Sequence, residues 1–235
     1  MHSLITCCLI AVTSCTLTAF HATGQMPSED SSFRLAQLRA ISVYHSNAGP
    51  QSPLYNGIEH LAYGPSYKGM PYFQSRSGSI GSIVYDGSLY TNVRLLYDQV
   101  RDQVIVISGD NYEIGLFMDR VEQFSIYDHH FIHNATGTYD QLCTGQLTIL
   151  VKRSKLVTEL IIGNELIDSI SAKEYFYAVR QGVYHELSGV RSLLNLMSDR
   201  KDEIKAFIRT NKISYRRDHE AAILAIADYY NKLSR

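Results

Sequence analysis

The chain has 235 residues, of which 45% are hydrophobic and 19% are charged, and its formal net charge is −1. This composition is typical of a globular protein and excludes a disordered chain, because enough apolar side chains are present to build a core. The near-zero charge excludes the overall basic character of most nucleic-acid-binding proteins, so we expect no nucleic-acid partner. The length allows one large domain, and one domain overall is expected.

The first segment of the chain, residues 1–24, contains no Asp, Glu, Lys or Arg and includes an apolar run at 4–20. Such a run followed by small residues is typical of a secretory signal peptide. It is also too short and too rich in Thr for a spanning helix. Small residues at −3 and −1 favour cleavage between Gly24 and Gln25. We therefore expect an exported protein, periplasmic or associated with the outer membrane.

Two other ways in which this segment could be processed remain open. Residues 12–15, Val-Thr-Ser-Cys, resemble a bacterial lipobox, in which Cys15 would be lipidated. The missing Lys or Arg before the apolar run also fits an uncleaved anchor. If the chain is cleaved before Gln25, Cys143 is the only cysteine left in the mature protein. No intramolecular disulfide can then form. Cys143 is then expected to be a small buried hydrophobic residue.

Residues 25–53 predict a flexible polar leader with a short helix at 33–44, and residues 54–190 predict a β-rich region. Asp86-Gly87 lies between the apolar runs 82–85 and 88–90, and supplies the positive φ angles of a two-residue hairpin turn. Further strands are expected at 93–97, 103–107, 112–118, 121–127, 130–133 and 146–152. The gaps between them are too short for crossover helices, so neighbouring strands should be antiparallel.

Residues 158–173 fit helix and strand equally, whereas 176–179 and 183–187 predict one more hairpin. The C-terminal region, 191–235, predicts helices, one capped by Asp199 and the last capped by Asp218. Strands first and helices last indicate an α+β fold: an antiparallel β meander, as a curved sheet or open barrel, followed by C-terminal helices that pack on the sheet. After the signal, no run is long and apolar enough to be a transmembrane segment.

Three histidines, His129, His130 and His133, are the candidate metal ligands, because imidazole binds zinc and copper. Their segment predicts strand, turn and strand, with Asp128-His129 in the turn, and His130 and His133 would then point to opposite faces. We therefore expect these histidines to lie at an exposed hairpin tip and to bind no metal. Phosphate-binding glycine motifs are absent from the sequence, and no cofactor is expected.

Several short motifs together resemble an uncharacterised family of exported envelope proteins of Bacteroidetes. The resemblance covers residues 54–233. It rests on Leu54-Tyr55-Asn56-Gly57, Lys68-Gly69-Met70-Pro71-Tyr72-Phe73, Val84-Tyr85-Asp86-Gly87, Leu96-Tyr97-Asp98, Glu203-Ile204-Lys205-Ala206-Phe207-Ile208-Arg209, Asn211-Lys212 and Tyr229-Tyr230. It implies a Gram-negative envelope location and brings no catalytic or binding residue with it.

Two functions from different classes are compatible with these features. The first is a non-enzymatic binding or accessory module with an unknown envelope partner or ligand. The alternative is a periplasmic hydrolase whose site would be assembled from scattered residues: His60, the histidines at 129–133, and the turn carboxylates Asp86, Asp98, Asp102 and Asp110. Residues 191–217 hold eight Lys/Arg and three Asp/Glu. They form either a solvated helix face or a surface for an anionic partner.

Mass spectrometry of the native protein tests the export signal. We expect a mature N-terminus at Gln25, as glutamine or pyroglutamate, because the small residues before it fit signal peptidase. A lipidated Cys15 would instead establish a lipoprotein, and an intact Met1 would contradict cleavage.

Overall fold

A computed structural model of the chain describes residues 52–233 and the single residue Ala36. The predicted signal peptide, with Cys15, Gly24 and Gln25, and nearly all of the leader lie outside the described residues. The strands are β1 (Ile58–Glu59), β2 (Tyr67–Lys68), β3 (Ser79–Tyr85), β4 (Ser88–Asp98), β5 (Gln103–Ile107), β6 (Glu113–Gly115), β7 (Val121–Ile126), β8 (His129–Asn134), β9 (Gly137–Cys143), β10 (Thr148–Ile162), β11 (Glu165–Arg180) and β12 (Val183–Glu186). The α-helices are α1 (Val190–Leu196), α2 (Lys201–Thr210) and α3 (His219–Leu233), and short 3₁₀ turns occur at Pro53–Tyr55, Met118–Arg120 and Ser198–Arg200.

All the described strands belong to one sheet, in the order β1-β6-β5-β4-β3-β7-β8-β9-β10-β11-β12. Every neighbouring pair on this path is antiparallel, while β2 adds a short parallel pair beside β11. The sheet is not closed, since β1 and β12 stand at opposite ends of the path. The predicted α+β class, with an open antiparallel sheet and C-terminal helices, is confirmed.

Two hairpin turns follow the expected chemistry. Asp86 and Gly87 have φ angles of 53° and 71°, as a type I′ turn between β3 and β4 requires. Gln181 and Gly182, with φ angles of 52° and 78°, make the same kind of turn between β11 and β12. Both predicted hairpins are therefore present.

The segment at 158–173, for which the sequence left helix and strand open, is all strand apart from its turn. β10 pairs with β11 over its whole length, from Thr148 opposite Val179 to Ile162 opposite Glu165. Gly163, with φ 67°, provides the turn. The predicted strand at 146–152 is thus only the beginning of a much longer hairpin.

Two principal hydrophobic clusters hold the fold together. One lies against the middle of the sheet, where the rings of Phe124 and Phe131 stack with their centroids 4.8 Å apart. The other lies between the helices and the proximal parts of β10 and β11, and α3 contributes Ile223, Ile226 and Tyr230 to it. Helix packing on the sheet therefore follows the apolar period that the sequence predicts for α3.

The two predicted helix caps have different outcomes. Asp218 Oδ1 accepts a hydrogen bond from the Ala221 amide at 2.9 Å, so the cap of α3 is confirmed. Asp199 does not cap α2, whose N-cap is Arg200. Its carboxylate instead accepts the Tyr230 hydroxyl, at 3.2 and 3.3 Å, and so links the start of α2 to α3. Within the part of the chain that the structure describes, no helix has the length and apolar character needed to cross a bilayer.

Candidate functional site

The turn between β7 and β8 is made by Tyr127 and Asp128, so the predicted turn at Asp128-His129 is wrong by one residue. Tyr127 takes the left-handed conformation, with φ 53°. His129 is consequently the first residue of β8 and pairs with Ile126 across the ladder. The shift gives His129 a fixed position against the sheet instead of a place at an exposed tip.

The three histidines have separate partners. His130 and His133 each face a hydroxyl group on a neighbouring strand, with Nδ1 to oxygen distances of 3.0 and 2.9 Å. His129 Nδ1 lies 2.7 Å from Asp140 Oδ2 on β9. Among residues 52–233, no group of three or more His, Cys, Asp or Glu side chains is arranged to hold a metal ion.

Arg153, on β10, is the centre of a cluster of charged side chains that joins four elements. Its Nε donates to Asp140 on β9 at 2.8 Å, Nη1 to Glu174 on β11 at 2.5 Å, and Nη2 to Glu220 on α3 at 2.6 Å. Only 9% of the Arg153 side chain and 1% of that of Asp140 are exposed. The Nη2 contact with Glu220, whose side chain is 33% exposed, links the last helix to this buried ion pair in the sheet.

The electrostatics of the cluster favour a charged Arg153. Burial disfavours the guanidinium ion, but the hydrogen bonds and negative charges of Asp140 and Glu220 outweigh it and raise the pKa of Arg153 above its ordinary value. Asp140 Oδ1 is buried and has no hydrogen-bond partner among the described residues. The carboxylate therefore depends on Arg153 and His129, both of which bind its other oxygen.

The Asp140–His129 pair has one feature of a catalytic dyad. The carboxylate orients the imidazole through Nδ1, which leaves Nε2 free to exchange a proton with a substrate or water. No hydroxyl or thiol of the described chain hydrogen-bonds to His129. The dyad thus has an oriented base and no nucleophile in contact with it.

A second polar cluster surrounds His60, whose side chain is fully buried. His60 Nε2 lies 3.0 Å from the Tyr72 hydroxyl, and His60 Nδ1 lies 3.2 Å from Arg101 Nη1. Because a guanidinium can only donate, Nδ1 accepts and the proton of the neutral ring is on Nε2. Burial, followed by the neighbouring positive charge of Arg101, lowers the pKa of His60 below its ordinary value.

The turn carboxylates do not pair with the histidines as a hydrolase site would require. Asp98 is completely buried and accepts the Tyr63 hydroxyl and the amides of Val100 and Arg101, which is the usual role of Asp in a turn. Asp102 Oδ1 accepts the Tyr97 hydroxyl at 2.7 Å. His60 and Asp98 belong to one cluster, where Arg101 stands between them. The remaining two, Asp86 and Asp110, lie at separate turns.

Cys143 lies at the end of β9, half-buried beside the cluster under the helices. Burial raises the pKa of its thiol to about 11. The thiol is therefore protonated at neutral pH, which disfavours a nucleophilic role.

The feature that the sequence did not predict is the distal part of the β10–β11 hairpin, residues 156–170, which we call the arm. Directly opposed residues of the two strands share a face, and successive residues alternate. One face presents Leu156 and Leu160, which are 44% and 43% exposed, and the other presents Ile161 and Leu166, which are 78% and 60% exposed. Both faces of the arm are therefore apolar and open to solvent.

One edge of the arm is also unpaired in the described structure. β9 pairs with β10 only as far as Val151, and the Lys155 amide donates to the Gln99 carbonyl at 3.0 Å. Since successive residues direct their amides to alternate edges, Val157 and Ile161 present free backbone groups at the same edge beyond Lys155. An unpaired β edge with apolar side chains is a template for another chain.

Comparison with known proteins adds no relative. No family model, no curated protein and no solved structure matches the chain.

The buried His60 generates a prediction on pH. Because its pKa is lower in the folded protein than in the unfolded chain, protonation favours unfolding, and the stabilisation present above about pH 6.5 is lost as the pH falls through the folded-state pKa. We expect the free energy of unfolding of the wild type to fall more steeply between pH 7 and pH 5 than that of H60Q, by up to about 1.4 kcal/mol per pH unit.

Urea titrations at each pH measure this difference. The variant H130Q, which removes a half-buried histidine from β8, serves as the control for the loss of a histidine elsewhere in the sheet. Parallel curves for wild type and H60Q would contradict the assignment of a neutral buried His60.

Proposed function

We propose that this chain is an exported envelope protein that acts as a non-enzymatic binding or accessory module, with the arm as its recognition element. The observation that carries the proposal is the exposure of apolar side chains on both faces of a two-stranded arm. Folded proteins seldom expose contiguous apolar surface unless it meets a partner. The arm combines such a surface with an open strand edge, which suits β-sheet addition.

Export is part of this proposal and is supported by the uncharged apolar segment at 1–24 and by the resemblance of several short motifs to exported envelope proteins of Bacteroidetes. A protein that leaves the cytoplasm in this way would present the arm to envelope proteins. The base of the arm is fixed: Lys155 Nζ donates to the Tyr72 carbonyl at 2.6 Å, and β2 pairs with Asp168 and Ser169 on the other strand. A preorganised recognition element loses less entropy on binding.

The alternative, an envelope hydrolase, is supported by the Asp140–His129 pair with its free Nε2. It needs an activated water or a substrate-derived nucleophile at that nitrogen, since no described hydroxyl or thiol is hydrogen-bonded there. The other members of the expected constellation are engaged in separate clusters. The binding module is therefore the better-supported function.

Site-specific photocrosslinking in cells tests the proposal. A photoreactive residue replaces Ile161 or Leu166 on the arm, and Ile80 on β3, which is 60% exposed, is the matched control. We expect discrete crosslinked products from both arm positions, because an apolar contact surface is covered by its partner, and no product of the same size from Ile80.

The identity of each product comes from mass spectrometry of the excised band. Arm positions that give no product, or the same products as Ile80, would contradict a recognition role for the arm. Crosslinks that appear only in the cytoplasmic fraction would contradict the envelope location.

A further inference from the structure

The charges of the arm are all of one sign. From residue 156 to residue 172 the chain contains Glu159, Glu165 and Asp168 and no Lys or Arg. Glu159 and Glu165 are exposed, and Asp168 is half-buried. The arm is therefore an apolar surface with a net charge of −3.

Positive charge is concentrated in the helical region. Residues 191–217 carry eight Lys/Arg and three Asp/Glu, a net charge of +5. We call the surface of this segment the basic face. Arg209, Lys212 and Arg216 are exposed and form no side-chain ion pair within the described residues. Uncompensated charges of this kind attract an acidic partner over a distance of about 10 Å.

The basic face also offers apolar surface. Phe207 of α2 stacks on Tyr229 of α3, with ring centroids 4.0 Å apart, and both residues are only half-buried. Lys205 and Arg209 are exposed on the same helix, but at two residues before and after Phe207 they project from other sides of α2 than its ring. The helical region as a whole thus offers positive charge and an aromatic pair, which complement the acidic and apolar character of the arm.

The arm cannot reach the basic face of its own chain. The helices pack on the proximal part of the β10–β11 hairpin, at Ile149, Val151 and Phe176, whereas the arm is the distal part of the same two strands. With a rise of about 3.3 Å per residue, its tip lies about 30 Å along the strand from Arg153. A paired two-stranded ribbon does not fold back over that distance, so the complement must come from another molecule.

We propose that the occupant of the arm is a second copy of this chain, and that two copies pair reciprocally, each placing its arm on the basic face of the other. This inference rests on the proposed function, because it names the partner of the same recognition element. A reciprocal pair is closed by two-fold symmetry and uses both complementary surfaces of both copies. Opposite charges across the interface set the orientation, and the apolar side chains on the contacting side of the arm and the Phe207–Tyr229 pair supply the buried area.

Charge reversal tests the pairing, measured by sedimentation velocity on the purified mature chain over a range of concentrations. The arm variant is E159K/E165K/D168K, the face variant is R209E/K212E/R216E, and the control is E122K/D128K, which reverses exposed acids on the β7–β8 hairpin. Each of the first two variants places like charges together. We expect the dimer dissociation constant to rise about 100-fold in each and to stay near the wild-type value in the control.

The decisive measurement is the mixture of the two variants. The arm variant has a positive arm and a positive face, and the face variant has a negative arm and a negative face, so each arm finds an opposite charge only on the other variant. We expect mixing to restore a one-to-one dimer, and about 0.5 M salt to weaken it as it weakens the wild-type dimer. Circular dichroism and melting curves show whether each variant is folded, and restoration by mixing itself requires two folded partners.

Three results would overturn the inference: a monomeric wild type at all concentrations, variants that associate as the wild type does, or a mixture that stays monomeric while both variants are folded. If the chain is monomeric and its basic face binds vesicles of anionic phospholipid, the face has a lipid partner. The proposed pairing of two copies is then wrong. If the arm crosslinks in cells to a different envelope protein while the chain stays monomeric, the proposed function stands without the self-pairing.

Discussion

The interaction on which the rest of the structure depends is the contact of the buried Arg153 guanidinium with three carboxylates, of which Asp140 is buried as well. Arg153 is the point at which β9, β10, β11 and α3 meet, since its guanidinium binds Asp140, Glu174 and Glu220. The apolar cluster under the helices gives most of the burial, but apolar contact has no direction. The guanidinium, together with the two buried hydrogen bonds between the Asn231 side chain and the Leu147 backbone, directs where α3 lies on the sheet.

The same cluster marks a boundary in the fold. β10 is flanked by β9 up to Val151, and beyond Arg153 the β10–β11 hairpin continues with support, within residues 52–233, from Lys155, β2 and the adjoining Ser66. Proximal to Arg153, the hairpin is part of the core and carries the helices. Distal to it, the hairpin is an arm whose apolar side chains face solvent. The position of the buried charge thus separates the structural half of the hairpin from the half we propose for recognition.

Local structure could be predicted from the sequence where it depends on a turn or a helix cap. Asp86-Gly87 and Asp218 predicted a hairpin and a helix start because each acts through its own backbone neighbourhood. The turn at Tyr127-Asp128 was placed one residue too late, since Tyr seldom adopts positive φ. Asp199 was assigned to a cap but binds Tyr230, a partner 31 residues away. A contact between residues so far apart in the sequence produces no periodic pattern from which it could be predicted.

The arm and the charged cluster could not be predicted for two different reasons. The segment 158–173 fitted helix and strand equally, and only the register with β11 shows that it is a hairpin extending beyond the core. Arg153, Asp140 and Glu220 are separated by up to 80 residues of sequence and meet through the strand order. Of the predicted site residues, only His129 lies at this cluster, and its Asp140 partner was not among the carboxylates considered.

The most direct test of this account is native-state hydrogen exchange of the variant R153M, with K152M on the same strand as the control. Removing the guanidinium leaves Asp140 buried without its main partner, and we expect a loss of about 3–5 kcal/mol of stability. The amides of α3 should lose protection before those of β3 and β4, while K152M should resemble the wild type. If α3 keeps its wild-type protection in R153M, Arg153 does not hold the helices to the sheet and the account is wrong.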